Sequence, residues 1–171
     1  MNRSAVRSRP VAPISGRLTR GEWMLLAVVA LTFTHHLDHV LRADNSGWPF
    51  TPDLTPFTIS LLVYPIFALD FLLLRDRPWI RVGLVAVLFV ALQVTHAIVE
   101  PPGDQYGTWA NGISAVPHAL GQPNLLDTAS PVLGALSVAV SGLLSVAVLA
   151  ALVLLAREAR ANQRQPAGRE R

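Results

Sequence analysis

The chain contains neither cysteine nor lysine. The first absence excludes disulfides, thiolate nucleophiles and zinc–thiolate sites. The second makes every fixed positive side chain an arginine, in a chain with 14 basic and 11 acidic residues. Charge of either sign is scarce. Charged residues are 15% of the 171, whereas soluble domains carry about 25%. The small net charge of +3 could suggest nucleic acid, but the arginines flank apolar stretches instead of forming one basic patch. Arginines so placed meet anionic lipid headgroups. Membrane lipids are therefore the expected partners, and nucleic acid is not.

What is abundant is apolar sequence, 51% of the chain. Four stretches stand out: Trp23–Leu41, Leu54–Leu74, Trp79–Val99 and Val132–Ala156. Each supplies roughly the 20 residues that cross about 30 Å of hydrocarbon at about 1.5 Å per residue. The pattern predicts an all-α integral membrane protein, a four-transmembrane-helix bundle with helices over 21–41, 54–74, 78–99 and 131–156. The membrane domain spans 19–157. A disordered basic tail over 1–18 precedes it, and a basic tail over 158–171 follows it.

The arginines orient the bundle. Five of them, Arg3 through Arg20, precede the first stretch. Arg75, Arg77 and Arg81 surround the second connection, and five more, Arg157 through Arg171, follow the last stretch. Only Arg42 remains for the opposite side. The positive-inside rule then places both termini in the cytoplasm, with a long extracytoplasmic loop between helices 3 and 4, in the plasma membrane of a prokaryote. A cleaved signal peptide is the competing reading of the first stretch. Its apolar core, Met24–Phe33, runs into Thr-His-His-Leu-Asp-His without a small-residue cleavage site, so an uncleaved helix is expected.

Local signals refine the elements. Thr19 and Glu22 have the spacing of a capping box. Pro65 should kink the second helix. Asp76 is the expected cap of the third, and Pro101-Pro102 should end it. Gly134, Ser137, Ser141 and Ser145 recur every three or four residues, as on a close-packing helix face. The segment 101–130 is long, rich in Gly and Pro, and free of basic residues. That suits a lid or a re-entrant piece over the bundle.

The chemistry gathers at the extracytoplasmic end. His35, His36, Asp38 and His39 fall on the last turns of helix 1, and His96 and Glu100 at the end of helix 3. His35 and His39 lie about 40° apart around the helix, as do His96 and Glu100. His118 sits in the long loop and can reach the same level. Imidazoles at i and i+4, joined by a histidine and a carboxylate from a neighbouring helix, are a divalent-metal ligand set. Without sulfur the set suits Zn, Fe or Cu. His35, His36, His39, His96 and His118 are the candidate ligands, with Glu100 and Asp38 the candidate catalytic carboxylates. Because the site lies at headgroup depth, a metal-dependent enzyme acting on a lipid or other apolar substrate is the leading reading. His-Glu-Xaa-Xaa-His is absent, since residue 36 is histidine, which excludes the common metalloprotease element.

Two other readings use the same residues. A single b-type haem could be held by His36 or His39 facing His96, as in a redox subunit. Alternatively the cluster could belong to a non-enzymatic accessory or transport protein, in a homo-oligomer or a membrane complex. Asp70, at the opposite end of the bundle, is expected to pair with Arg75 or Arg77.

Overall fold

A computed structural model describes residues 17–44 and 54–164, except for the side chain of His118. The described residues are helical, with no strand beyond one isolated bridge between Ile113 and Pro123. The elements are α1 (Arg20–Arg42), α2 (Pro56–Ser60), α3 (Val63–Leu73), α4 (Pro78–Ile98), α5 (Pro102–Asn111), a 3-10 turn at Pro117–Ala119, and α6 (Pro131–Arg164). Taking α2 and α3 together, four helices are long and apolar enough to cross a membrane. Their outward faces carry large apolar side chains such as Leu72, Leu73, Val87, Val90 and Val146. A solvated monomer rarely exposes so much apolar surface.

Helix α1 begins where its capping box lies. Glu22 N–H donates to Thr19 Oγ1 at 3.2 Å, and Thr19 N–H donates to Glu22 Oε2 at 2.9 Å. It ends at Ala43, which takes a left-handed conformation at φ 61° and donates its N–H to His39. A Cβ is strained there, and the turn brings Asp44 back beside Arg42.

Three expectations are corrected. The second span is not one kinked helix. Pro65 has no N–H to offer Leu61, and the chain breaks at Leu61–Leu62 into α2 and α3. Asp76 is not the cap of α4. Arg77 holds that position, with Pro78 behind it, and a proline in the first turn has no N–H in need of a cap. The last helix continues past residue 156 to Arg164. Its extension is anchored by Glu158, which accepts from Gly21 N–H at 2.9 Å and from Thr19 Oγ1 at 2.9 Å. The expected disorder of the N-terminal tail lies outside the described residues, apart from positions 17 and 18, as do the loop 45–53 and the C-terminal seven residues.

Helix α6 is the spine of the bundle, and α1, α4 and α5 all pack along it. Leu25 and Val28 of α1 meet Leu144, Val148, Ala151 and Leu155 of α6 in the core. Small residues permit the close approach. A Cβ on Gly21 would stand 2.8 Å from the Leu155 side chain, and one on Gly134 would stand 2.7 Å from the Tyr106 carbonyl oxygen. The second contact seats α5 against the start of α6. The segment α2–α3 is different, because it is not closely packed along any other helix.

The arginine end of the bundle is tied by buried ion pairs. Glu22 receives Arg75 at 2.7 and 2.8 Å and Arg81 at 3.3 Å. Asp70 is held by Arg81 at 3.0–3.2 Å, not by Arg75 or Arg77 as expected. Arg81 lies inside the bundle one turn into α4, where it can reach both carboxylates, while Arg75 is partly exposed and spends its donors on Glu22.

Candidate metal centre

At the histidine end, α1 and α4 finish side by side and bring three imidazoles together around His35, with His39 and His96 on either side of it. His35 Nε2 lies 3.1 Å from His39 Nε2 and 3.1 Å from His96 Nε2. His39 Nε2 is 2.9 Å from Glu100 Oε2. His35, His39 and Glu100 are buried and close enough together to hold a metal ion. Four donors at a metal distance of about 2.0–2.2 Å in a tetrahedron stand roughly 3.3–3.6 Å apart. The His35–His39 and His39–Glu100 separations are a few tenths of an ångström shorter than that edge.

The second nitrogen of His35 decides its tautomer. Ser141 Oγ lies 3.2 Å from His35 Nδ1, 3.0 Å from Gln105 Oε1 and 3.3 Å from the Ser137 carbonyl oxygen. The amide oxygen and the carbonyl can only accept, so the hydroxyl proton goes to one of them. Ser141 Oγ then accepts from His35 Nδ1–H. That leaves a bare lone pair on His35 Nε2, pointed at the other imidazoles, which is the arrangement that surrounding groups impose on a ligand histidine.

His36 faces away from this point. Its Nδ1 is 2.8 Å from the Tyr64 hydroxyl and its Nε2 is 2.9 Å from Ser60 Oγ. Ser60 gives its own proton to the Phe57 carbonyl at 2.7 Å. His36 therefore donates to Ser60 and accepts from Tyr64, and both ring nitrogens are spoken for. It joins α1 to α2–α3 instead of joining the other three imidazoles. The backbone of His118 lies in the 3-10 turn, and its side chain lies outside the described atoms.

Asp38 is also engaged. It accepts from Arg42 Nε at 2.8 Å, Trp109 Nε1 at 2.8 Å and Ser137 Oγ at 2.7 Å. Through these bonds it docks α5 and α6 onto α1. Thr108 of α5 adds a bond to Asp44 at 2.9 Å, and Leu125 N–H donates to the Leu41 carbonyl at 2.8 Å. The segment 101–130 is thus fastened across the end of the bundle.

Arg42 has no exposed surface at all. Its guanidinium faces three carboxylates: Asp38, Asp44 at 3.2 Å, and Glu100. One guanidinium thus gathers three carboxyl groups at a single buried point. Burial pushes the Glu100 carboxyl up, but His39 and Arg42 beside it more than offset this and hold it below the usual carboxylate range. Glu100 is bifunctional. One oxygen is anchored by Arg42, and the other approaches His39 without a donor aligned for a hydrogen bond. A buried carboxylate oxygen so placed, beside the imidazole nitrogens of His35 and His39, could hold a cation.

Three comparisons were made with known proteins. The chain matches no family model, no curated protein and no solved structure. The functional reading therefore rests on the geometry alone.

Beneath the imidazoles lies a cavity of about 470 Å³. The histidines and Glu100 form its polar end, and its walls are apolar, among them Val28, Phe67, Leu88, Leu92 and Val148.

Several participants had no signal in the sequence. Tyr64, Trp109 and Gln105 meet partners 28, 71 and 36 positions away, and Asp44 reaches the site only through the left-handed turn at Ala43. Ser137 and Ser141 did have one, as members of the small-residue stripe. The stripe is more than a packing face, because those two serines bond Asp38 and His35, and Ser145 accepts from Gln93 at 3.0 Å.

Proposed function

We propose that this is an integral membrane protein with one divalent-metal centre, ligated by His35, His39 and His96, that acts on a lipid or other apolar molecule. The observation that carries the reading is the buried group of His35, His39 and Glu100, close enough together to hold an ion, with His96 Nε2 a further 3.1 Å from His35 Nε2. Glu100 Oε2 is close enough either to be the fourth ligand or to accept a proton beside the ion. Asp38 is a positioning residue, since its oxygens already accept from Arg42, Trp109 and Ser137. Zinc would serve hydrolysis, whereas iron or copper would serve oxidation.

In this reading the histidine end is extracytoplasmic, both termini are cytoplasmic, and the membrane is a prokaryotic plasma membrane. The support is the arginine distribution, with Arg42 held by its own carboxylates and the other described arginines at the far end. Haem is the weaker alternative. Two axial imidazoles must oppose each other about 4 Å apart across a porphyrin. His35 and His96 stand 3.1 Å apart with a third imidazole between them and Glu100, which suits a compact ion.

The test is elemental analysis of protein purified in mild detergent without chelators, beside a His35/His39/His96 triple alanine variant. Stoichiometric metal that is lost in the variant is the expected result. Metal-free wild type after incubation with Zn, Fe(II) and Cu would overturn it and leave the cluster as a polar structural network.

A further inference from the structure

The cavity below the imidazoles has a direction of access. On the water-facing side it is shut: Arg42 and its carboxylates fill the space above the histidines, and α5 is fastened across them by Trp109 and Thr108. Some lining residues are nevertheless exposed. Ile59 and Leu62 on the α2–α3 segment are each 57% exposed, and Ala91 on α4 and Val99 at its C-terminal cap are exposed as well. These residues border the gap between the loosely packed α2–α3 segment and α4. The cavity therefore opens sideways between two spans, onto what would be hydrocarbon.

Its shape and chemistry limit the occupant. The volume falls within the range of about 300–1,000 Å³ typical of small-molecule sites, and it is roughly three times that of an apolar cavity that takes up benzene. Polar groups converge at one end only. An apolar void of this size is costly to leave empty and offers water no partners along its walls. Hydrocarbon is what the surroundings supply. A diacyl lipid would need room for a second chain and for a large headgroup, and the latter would collide with Arg42 and α5.

We infer that the cavity binds the alkyl chain of a single-chain amphiphile. The molecule enters from the bilayer between α2–α3 and α4 and presents a small polar end, such as a carboxyl or hydroxyl, to His35, His39, His96 and Glu100. The role of the polar end rests on the metal reading above, whereas chain binding stands on the cavity itself.

The experiment uses the full chain exchanged into amphipol, titrated with the fluorescent 18-carbon fatty acid cis-parinaric acid. Saturable binding of one probe per protein is expected, displaced by palmitic acid and not by a diacyl phosphatidylcholine. Leu88→Trp and Ile66→Trp fill the cavity from opposite walls, and each should weaken the probe at least tenfold while metal content stays at the wild-type level. Non-saturable binding, equal displacement by the diacyl lipid, or wild-type affinity in both folded variants would overturn the inference. Should the variants fail to fold, the displacement series on wild type still decides. Probe binding by wild type that stays metal-free after incubation with Zn, Fe(II) and Cu would sink the metal reading and leave the chain site standing. Bound metal without probe binding would do the reverse.

Discussion

His35 Nε2 and His96 Nε2 stand 3.1 Å apart although 61 positions separate them in the chain. Two imidazoles held this close cannot both direct an N–H at the other, and both repel a second proton. A shared cation turns the conflict into affinity.

The orientation of His35 depends on Ser141, and the dependence is measurable. Ser141→Ala removes the acceptor for His35 Nδ1–H and frees the ring to take the wrong tautomer. Loss of such a partner costs about 10–100-fold in metal affinity. Competitive chelator titration should show that loss for Ser141→Ala, while Ser145→Ala, one turn along α6, should stay near wild type.

His36 should behave differently from its neighbours. His36→Ala is expected to retain bound metal, because neither ring nitrogen points at the centre. It should cost about 1–3 kcal/mol of stability through the unpaired Tyr64 and Ser60 groups. Metal analysis and thermal unfolding in detergent, run on the same sample, separate the two effects. Loss of metal in this variant would return His36 to the ligand set.

Arg42 is the most consequential single side chain at this end. Arg42→Met leaves Asp38, Asp44 and Glu100 buried around an apolar group. Breaking a buried pair in this way costs about 3–5 kcal/mol. Unfolding midpoints should fall accordingly, and added divalent metal should recover part of the loss by taking over the missing positive charge.

Glu100 sets an acid limit. Its carboxyl is held below the ordinary value, so the folded state binds its proton less readily than the unfolded chain. The stabilisation it brings is complete above the ordinary glutamate value of about 4.3 and fades as pH falls further through the lower folded value. Glu100→Gln should therefore melt below wild type near neutral pH, and the difference should narrow in acid below about pH 4. A gap that is constant with pH would mean that the carboxylate charge is not what matters.

Gly134 tests the lid. A Cβ there would stand 2.7 Å from a backbone oxygen of α5, which cannot move aside as a side chain can. Gly134→Ala should cost about 1–3 kcal/mol as overpacking and raise the accessibility of Trp109 to aqueous quenchers.

The four apolar spans, the capping box of α1 and the end at which the histidines gather were legible in the chain. Hydrophobic length and helical spacing act locally, so Thr19, Glu22, His35 and His39 declare their relations within a few residues. The break in the second span was only half legible. Pro65 announced a defect, but its placement at Leu61–Leu62 depends on which carbonyl is left without a donor. Which imidazoles turn inward was decided by partners on other helices. His36 follows Tyr64 and Ser60, His35 follows Ser141 and Gln105, and Asp38 is claimed by Trp109. Those contacts join segments up to 106 residues apart. A hydrogen-bonding direction is a property of the assembled bundle, because in a membrane a buried donor has no water to fall back on and must take the partner that packing brings to it.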